Sequence, residues 1–242
     1  MNKTVGEPTK NVHEMTQVKN ETTIDPFLES KIRVWYRANN KKRNGNMAKT
    51  DFKEMAECFI RAFELGPDDA RTVRSWLVDG WATMIEYMDT MAQRQDDTRK
   101  SDTRSRMDPR DQIPTAIQMA RYIAEEKTIT EEMYVQAFRE VLVLNPSPFL
   151  VYFTHMVEDF FDIFDDDGDN SITEEGMVKG LGCFGFANAD SVRNVFKGLD
   201  VNGSGRVDRK TYVAAWVEFF QGTNRDTVMA KHFTLDMFPF KH

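Results

Sequence analysis

Apolar side chains recur along this chain three and four residues apart, the spacing of a helix that buries one face. From Pro26 onward, Leu28, Ile32, Trp35 and Tyr36 share a face. After a polar loop over residues 37–46, a second helix carries Phe52, Met55, Ala56, Phe59, Ile60 and Phe63. Leu65-Gly66-Pro67 is placed to stop it. Asp68 or Asp69 is placed to cap the next helix, whose stripe runs through Val73, Trp76, Leu77, Trp81, Met84, Ile85 and Met88. Residues 1–25 are polar and aperiodic, and residues 93–112 mix Arg with Asp and hold almost nothing apolar. Neither can supply a core face, so both are expected to be flexible and solvated. Helical spacing resumes over 113–123 and 131–144, and Asn145-Pro146-Ser147-Pro148 then breaks the chain. Four more helical runs follow from Phe149, with two acidic loops between them, and no strand-like alternation of useful length occurs. The pattern predicts an all-α protein with a tail (1–25), an N-terminal lobe (26–144, interrupted at 93–112) and a C-terminal lobe (145–242).

The acidic loops carry the candidate chemistry. A hard cation such as calcium takes six to eight oxygens, and a twelve-residue loop between two helices can supply them. Side chains at positions 1, 3 and 5, a backbone carbonyl at 7, a side chain or water at 9 and a bidentate Glu at 12 coordinate, with a left-handed turn at 6. An apolar residue at position 8 pairs with the partner loop. In residues 165–176 the ligand places fall to Asp165, Asp167, Asp169, the carbonyl of Ser171, and Thr173, with Asn170 at the turn and Ile172 at position 8. In residues 200–211 they fall to Asp200, Asn202, Ser204, the carbonyl of Arg206, and Asp208, with Gly205 and Val207 in the turn and apolar places. Val157, Phe160, Phe161 and Phe164 stripe the helix before the first loop, and Val195, Phe196 and Leu199 the helix before the second. The loops begin 35 residues apart, a natural spacing for two EF-hands joined face to face.

Position 12 departs from the pattern in both loops, being Gly176 in one and Thr211 in the other. Shifting the register to recruit Glu175 puts Phe164 at position 1 and Gly168 at position 5, and moves Ile172 off position 8. Each site is thus short of two oxygens and a charge. Such sites are expected to bind calcium at ~10⁻⁴ M or more weakly, against roughly 10⁻⁷–10⁻⁵ M for sensor loops, with Mg²⁺ as a possible competitor.

EF-hands occur in pairs, so the front half should hold two more. Gly45 at a turn, Met47 at position 8 and Asp51 at position 12 outline one, in a loop longer than twelve residues if its helix ends at Tyr36. Lys41-Lys42-Arg43 in a solvated loop would repel a cation there. The other surrounds Thr128–Tyr134, with Ile129 at position 8 and no acidic ligands before it. The expected architecture is therefore four EF-hand units in two paired lobes, the N-terminal pair degenerate.

Composition narrows the function. A net charge of -7 argues against general nucleic-acid binding. There is no run of apolar residues long enough to span a membrane and no signal-peptide core, so a cytoplasmic location is expected. Two cysteines, Cys58 and Cys183, build no disulfide framework or zinc motif and read as buried reduced thiols. The four His are scattered and no phosphate-binding glycine loop occurs, so no enzyme is expected.

Four hands, the last pair compact and followed by a long C-terminal extension, resemble the invertebrate sarcoplasmic calcium-binding proteins and the neuronal protein calexcitin. The stretches that carry the resemblance are Phe160–Ile172, Leu199–Val207 and the tail from Trp216 to Phe233. It implies a compact cytosolic calcium buffer or sensor. Cnidarian photoproteins and coelenterazine-binding proteins are similar in layout, and imply an aromatic ligand held between lobes. The photoprotein family's His after the fourth loop is matched here by Trp216, which argues against light emission. Two alternatives stand beside calcium binding: a metal-independent interaction module with a protein partner, and a carrier of an apolar small molecule.

Overall fold

The computed structural model describes residues 24–81, 127–144 and 146–240. The tail before Ile24, the apolar positions Met84, Ile85 and Met88, the 93–112 segment and the helix expected over 113–123 lie outside the described residues.

Asp25 starts the first helix, α1 (Pro26–Asn39), by accepting the Phe27 N–H at 2.7 Å, and Pro26 sits in the first turn where its missing N–H is no loss. α1 runs past Tyr36 to Asn39, so the following loop is Asn40–Asp51, a standard twelve residues and not a longer one. It contains β1 (Asn46–Ala48) and leads into α2 (Lys49–Ala62). The end of α2 differs from expectation. Glu64, at φ 50°, takes the left-handed position after the helix, while Gly66 and Pro67 serve α3 (Pro67–Arg74) as cap and first residue. Asp68 and Asp69 lie in the first turn of α3, where their charge still favours the helix N-terminus. A π-helical turn (Ser75–Asp79) follows and turns Leu77 inward.

After β2 (Thr128–Thr130) and α4 (Glu131–Leu144), α5 (Pro146–Phe164) starts three residues before Phe149, because proline is tolerated in a first helical turn. The chain continues through β3 (Ser171–Thr173), α6 (Glu174–Cys183), α7 (Ala189–Leu199), β4 (Arg206–Asp208), α8 (Arg209–Gln221) and α9 (Val228–His232), and a 3-10 turn (Leu235–Met237) follows.

The fold is helical apart from two short antiparallel ribbons. β1 pairs with β2 so that Met47 faces Ile129, and β3 with β4 so that Ile172 faces Val207. These are the four residues expected at position 8, and each is at most 1% exposed. Each ribbon joins two hands, which fixes the pairing of the four units; of the second hand, the strand and the outgoing helix are among the described residues.

The halves share packing. Trp35 of α1 lies 5.3 Å from Phe184 and Phe220 and 5.4 Å from Trp216, ring centre to ring centre. Phe59 of α2 meets Phe160 at 4.9 Å and Phe184 at 4.8 Å. Phe233 and Phe238, from the C-terminal extension, complete this core around Phe186. Lys31 is buried as well: its ammonium donates to the carbonyls of Gly222 (2.7 Å) and Glu218 (3.2 Å), so α1 caps the end of α8. Cys58 and Cys183 are free thiols in contact between α2 and α6, and burial pushes the Cys183 thiol up, away from thiolate chemistry.

Candidate metal centre

The two C-terminal loops lie side by side at the β3–β4 ribbon, and in each the first aspartate organises the turn. Asp165 accepts the N–H groups of Asp169 (3.2 Å) and Asn170 (2.8 Å), while Asn170 takes φ 65° at the turn. Asp200 accepts the N–H groups of Ser204 (2.9 Å) and Gly205 (2.8 Å), with Gly205 at φ 76°. Desolvation works against the Asp200 charge, but these amide donors hold its carboxyl below the usual range.

In the first loop, carboxylate oxygens of Asp165, Asp167 and Asp169 gather within 4.8 Å of one another. In the second, the Ser204 hydroxyl lies 3.1 Å from both Asp200 Oδ1 and the Arg206 carbonyl, so three oxygens at positions 1, 5 and 7 converge. The position-9 side chains, Thr173 and Asp208, cap the outgoing helices by accepting the N–H of Gly176 (3.1 Å) and Thr211 (2.9 Å). The Thr211 donors also hold the Asp208 carboxyl below its ordinary value. Asn202 Oδ1 accepts from Ser204 N–H at 3.1 Å.

Position 12 is more than a missing Glu in the first loop. A Cβ at Gly176 would stand 2.7 Å from the Phe164 carbonyl oxygen and 3.3 Å from Thr173 Oγ1. One turn further on, a Cβ at Gly180 would lie 2.2 Å from the Phe164 ring. Gly176 and Gly180 therefore form the surface of α6 on which Phe164 packs, and no side chain fits at 176 without movement. Thr211 is different: it is half-buried, and its hydroxyl bonds Asp208 Oδ2 at 2.9 Å.

In the sequence Arg206 stands at position 7, where only its carbonyl is a ligand. Its guanidinium crosses the ribbon and binds Asp167 Oδ2 at 2.6 Å, Asp167 Oδ1 at 3.1 Å and Asp169 Oδ2 at 2.8 Å. This pairing holds the Asp167 carboxyl below its usual range. Arg209 reaches across too, donating to Asn170 Oδ1 at 2.6 Å and to Asp162. The signal was present in the ribbon register, which places Arg206 opposite Thr173.

The loop of the first hand carries no acidic cluster. Lys41 is drawn inward to donate to the Cys183 carbonyl, rather than lying in a wholly solvated loop, and Lys42 lies 3.4 Å from Thr50 Oγ1. Asn40 at position 1 is fully buried, beside the Tyr36 hydroxyl. Asp51 at position 12 is also fully buried; one oxygen accepts the Ala48 N–H at 2.8 Å and Oδ1 has no partner among the described residues. Burial raises the Asp51 carboxyl above its usual range.

A separate feature lies between the halves. Among the described residues, a cavity of about 290 Å³ is walled by aromatic groups that include Trp35, Trp76, Trp81, Phe138, Phe149 and Phe220.

No protein-family model matches the sequence, and no curated protein does. Solved structures of similar fold exist. n-Aequorin superposes with a TM-score of 0.58 at 11% identity, over 89% of this chain and 95% of that one. The calcium-loaded apo form of the coelenterazine-binding protein of Renilla muelleri gives 0.52 at 14% identity, over 86% and 94%. Okadaic acid binding protein 2.1 gives 0.53 at 18% identity, over 87% and 94%. At these identities the likeness is one of fold, and the fold is that of the EF-hand proteins.

Proposed function

We propose that this chain is an EF-hand calcium-binding protein whose cation sites are the two C-terminal loops. The observation that carries the reading is the convergence of oxygens in each loop: three carboxylates within 4.8 Å around Asp165, and Asp200, Ser204 and the Arg206 carbonyl around the second turn. The ligands are Asp165, Asp167, Asp169, Ser171 and Thr173 in one site, and Asp200, Asn202, Ser204, Arg206 (through its carbonyl) and Asp208 in the other. Lacking an acid at position 12, both sites are weak, and Mg²⁺ competes for them. The role is that of a cytosolic buffer or low-affinity sensor, as in the sarcoplasmic calcium-binding proteins; among the described residues no helix is long and apolar enough to cross a membrane. Titration calorimetry of the full chain tests this. Calcium should bind at ~10⁻⁴ M, and Asp165→Ala and Asp200→Ala should each remove one site; no binding up to millimolar calcium overturns the reading.

The aromatic cavity supports a second activity, carriage of an apolar small molecule between the halves. Its size suits a small ligand, and two of the proteins of similar fold are named for coelenterazine and okadaic acid binding. Native mass spectrometry with an added aromatic probe is the test: a one-to-one complex lost in Trp35→Ala supports carriage, and no complex excludes it.

A further inference from the structure

We propose that Arg206 is a built-in competitor for the cation of the first C-terminal loop, so that the two loops fill in order, the second before the first. The proposal rests on the calcium reading above and deepens it. Its basis is where one side chain begins and ends. The backbone of Arg206 belongs to the second loop, where its carbonyl is the position-7 oxygen and lies 3.1 Å from Ser204 Oγ. Its guanidinium ends in the first loop, held by both oxygens of Asp167 and by Asp169, with Ser171 Oγ at 3.4 Å.

A guanidinium is a planar, permanent cation whose fork matches carboxylate oxygens. Here it takes two of the three carboxylates that a metal ion in the first loop would need. Three aspartates this close repel one another, and the internal cation relieves that repulsion in the absence of metal. A divalent ion entering the first loop must therefore expel Arg206 and replace its contacts. The second loop has no such occupant among the described residues: Asp200, Asn202 and Ser204 bond to their own loop's amides and hydroxyl. The same ion meets a competitor in one loop and none in the other.

Any amino acid at 206 supplies the same carbonyl, so substitution separates the two roles of the residue. In Arg206→Gln the second loop should keep its affinity while the first gains on the order of tenfold, the effect of removing a charge-assisted bidentate pair from its ligands. Arg206→Lys, which keeps the charge without the fork, should fall between. Arg209→Gln is the control, because that arginine bonds Asn170 and Asp162 but neither Asp167 nor Asp169; it should leave the first loop's affinity unchanged.

Calcium titration followed through amide resonances reads the loops separately, Asn170 for the first and Gly205 for the second. The expected result is Gly205 shifting at lower calcium than Asn170 in the native chain, with the two midpoints drawn together in Arg206→Gln. Two-site binding in which Arg206→Gln leaves the Asn170 midpoint in place overturns the competitor and leaves the calcium reading standing. Equal gains in Arg206→Gln and Arg209→Gln overturn it too, since the effect would then be general loosening of the ribbon. Absence of calcium binding in every variant overturns both.

Discussion

Restoring the missing Glu should succeed in one loop and fail in the other. Thr211→Glu and Gly176→Glu are the same repair on paper: each adds two oxygens and a charge. If the repair moves a site from ~10⁻⁴ to ~10⁻⁶ M, it is worth about 2.7 kcal/mol of binding. At Thr211 the cost is one exposed hydrogen bond to Asp208 at 2.9 Å, about 1 kcal/mol. At Gly176 the new Cβ starts 2.7 Å from the Phe164 carbonyl, nearer than such atoms come, and crowds the Thr173 hydroxyl that caps α6. Overpacking of this kind costs about 1–3 kcal/mol and a disturbed cap about 1 kcal/mol more. A backbone displaced to relieve that contact carries the new carboxylate away from the twelfth-position geometry, and Arg206 still occupies the carboxylates. Urea unfolding in chelator should show Gly176→Glu destabilised by about 2–4 kcal/mol and Thr211→Glu by about 1 kcal/mol or less. Calorimetry should then show Thr211→Glu binding calcium on the order of a hundredfold more tightly, and Gly176→Glu gaining little. A Gly176→Glu chain that is as stable as the native one and gains as much calcium affinity as Thr211→Glu would refute the packing argument.

Two further outcomes follow from the front half. The buried Asp51 carboxyl titrates above its ordinary value, so the folded state holds its proton more tightly than the unfolded one. Its contribution is therefore intact below the unfolded value near 3.9 and is lost as pH rises through the folded value. Asp51→Asn should match or raise the melting temperature at pH 7, with the difference shrinking toward pH 3; a large loss at pH 7 would mean that Oδ1 holds a partner there. Lys31→Met keeps the stem but strips the cap from the Gly222 carbonyl, and should lower stability by about 1–3 kcal/mol in urea unfolding.

Much of this was legible in the sequence, for reasons that residues make plain. Met47, Ile129, Ile172 and Val207 could be assigned to position 8 because an apolar residue inside a polar loop has few other uses, and the ribbons pair those four. The turn at Asn170 was readable because asparagine tolerates the left-handed region it occupies. What could not be read was anything set by contact between distant segments. Gly176 looks like a lost ligand until Phe164 is seen against α6. Arg206 looks like a mere carbonyl until the register carries its side chain 39 residues back along the sequence to Asp167. The first hand's loop reads as longer than twelve residues because nothing local says that α1 continues from Tyr36 to Asn39. Gly66-Pro67 reads equally well as the end of one helix or the start of the next, and the structure uses it to start α3.

The central claim is that the Asp165 and Asp200 loops hold calcium weakly and without a twelfth-position acid. Calorimetric titration of the native chain at physiological magnesium, repeated with Asp165→Ala and Asp200→Ala, meets it most directly. Two sites are expected, the tighter one at ~10⁻⁴ M, with each substitution abolishing one. Heat of binding that survives both substitutions unchanged, or none at all up to millimolar calcium, would contradict it.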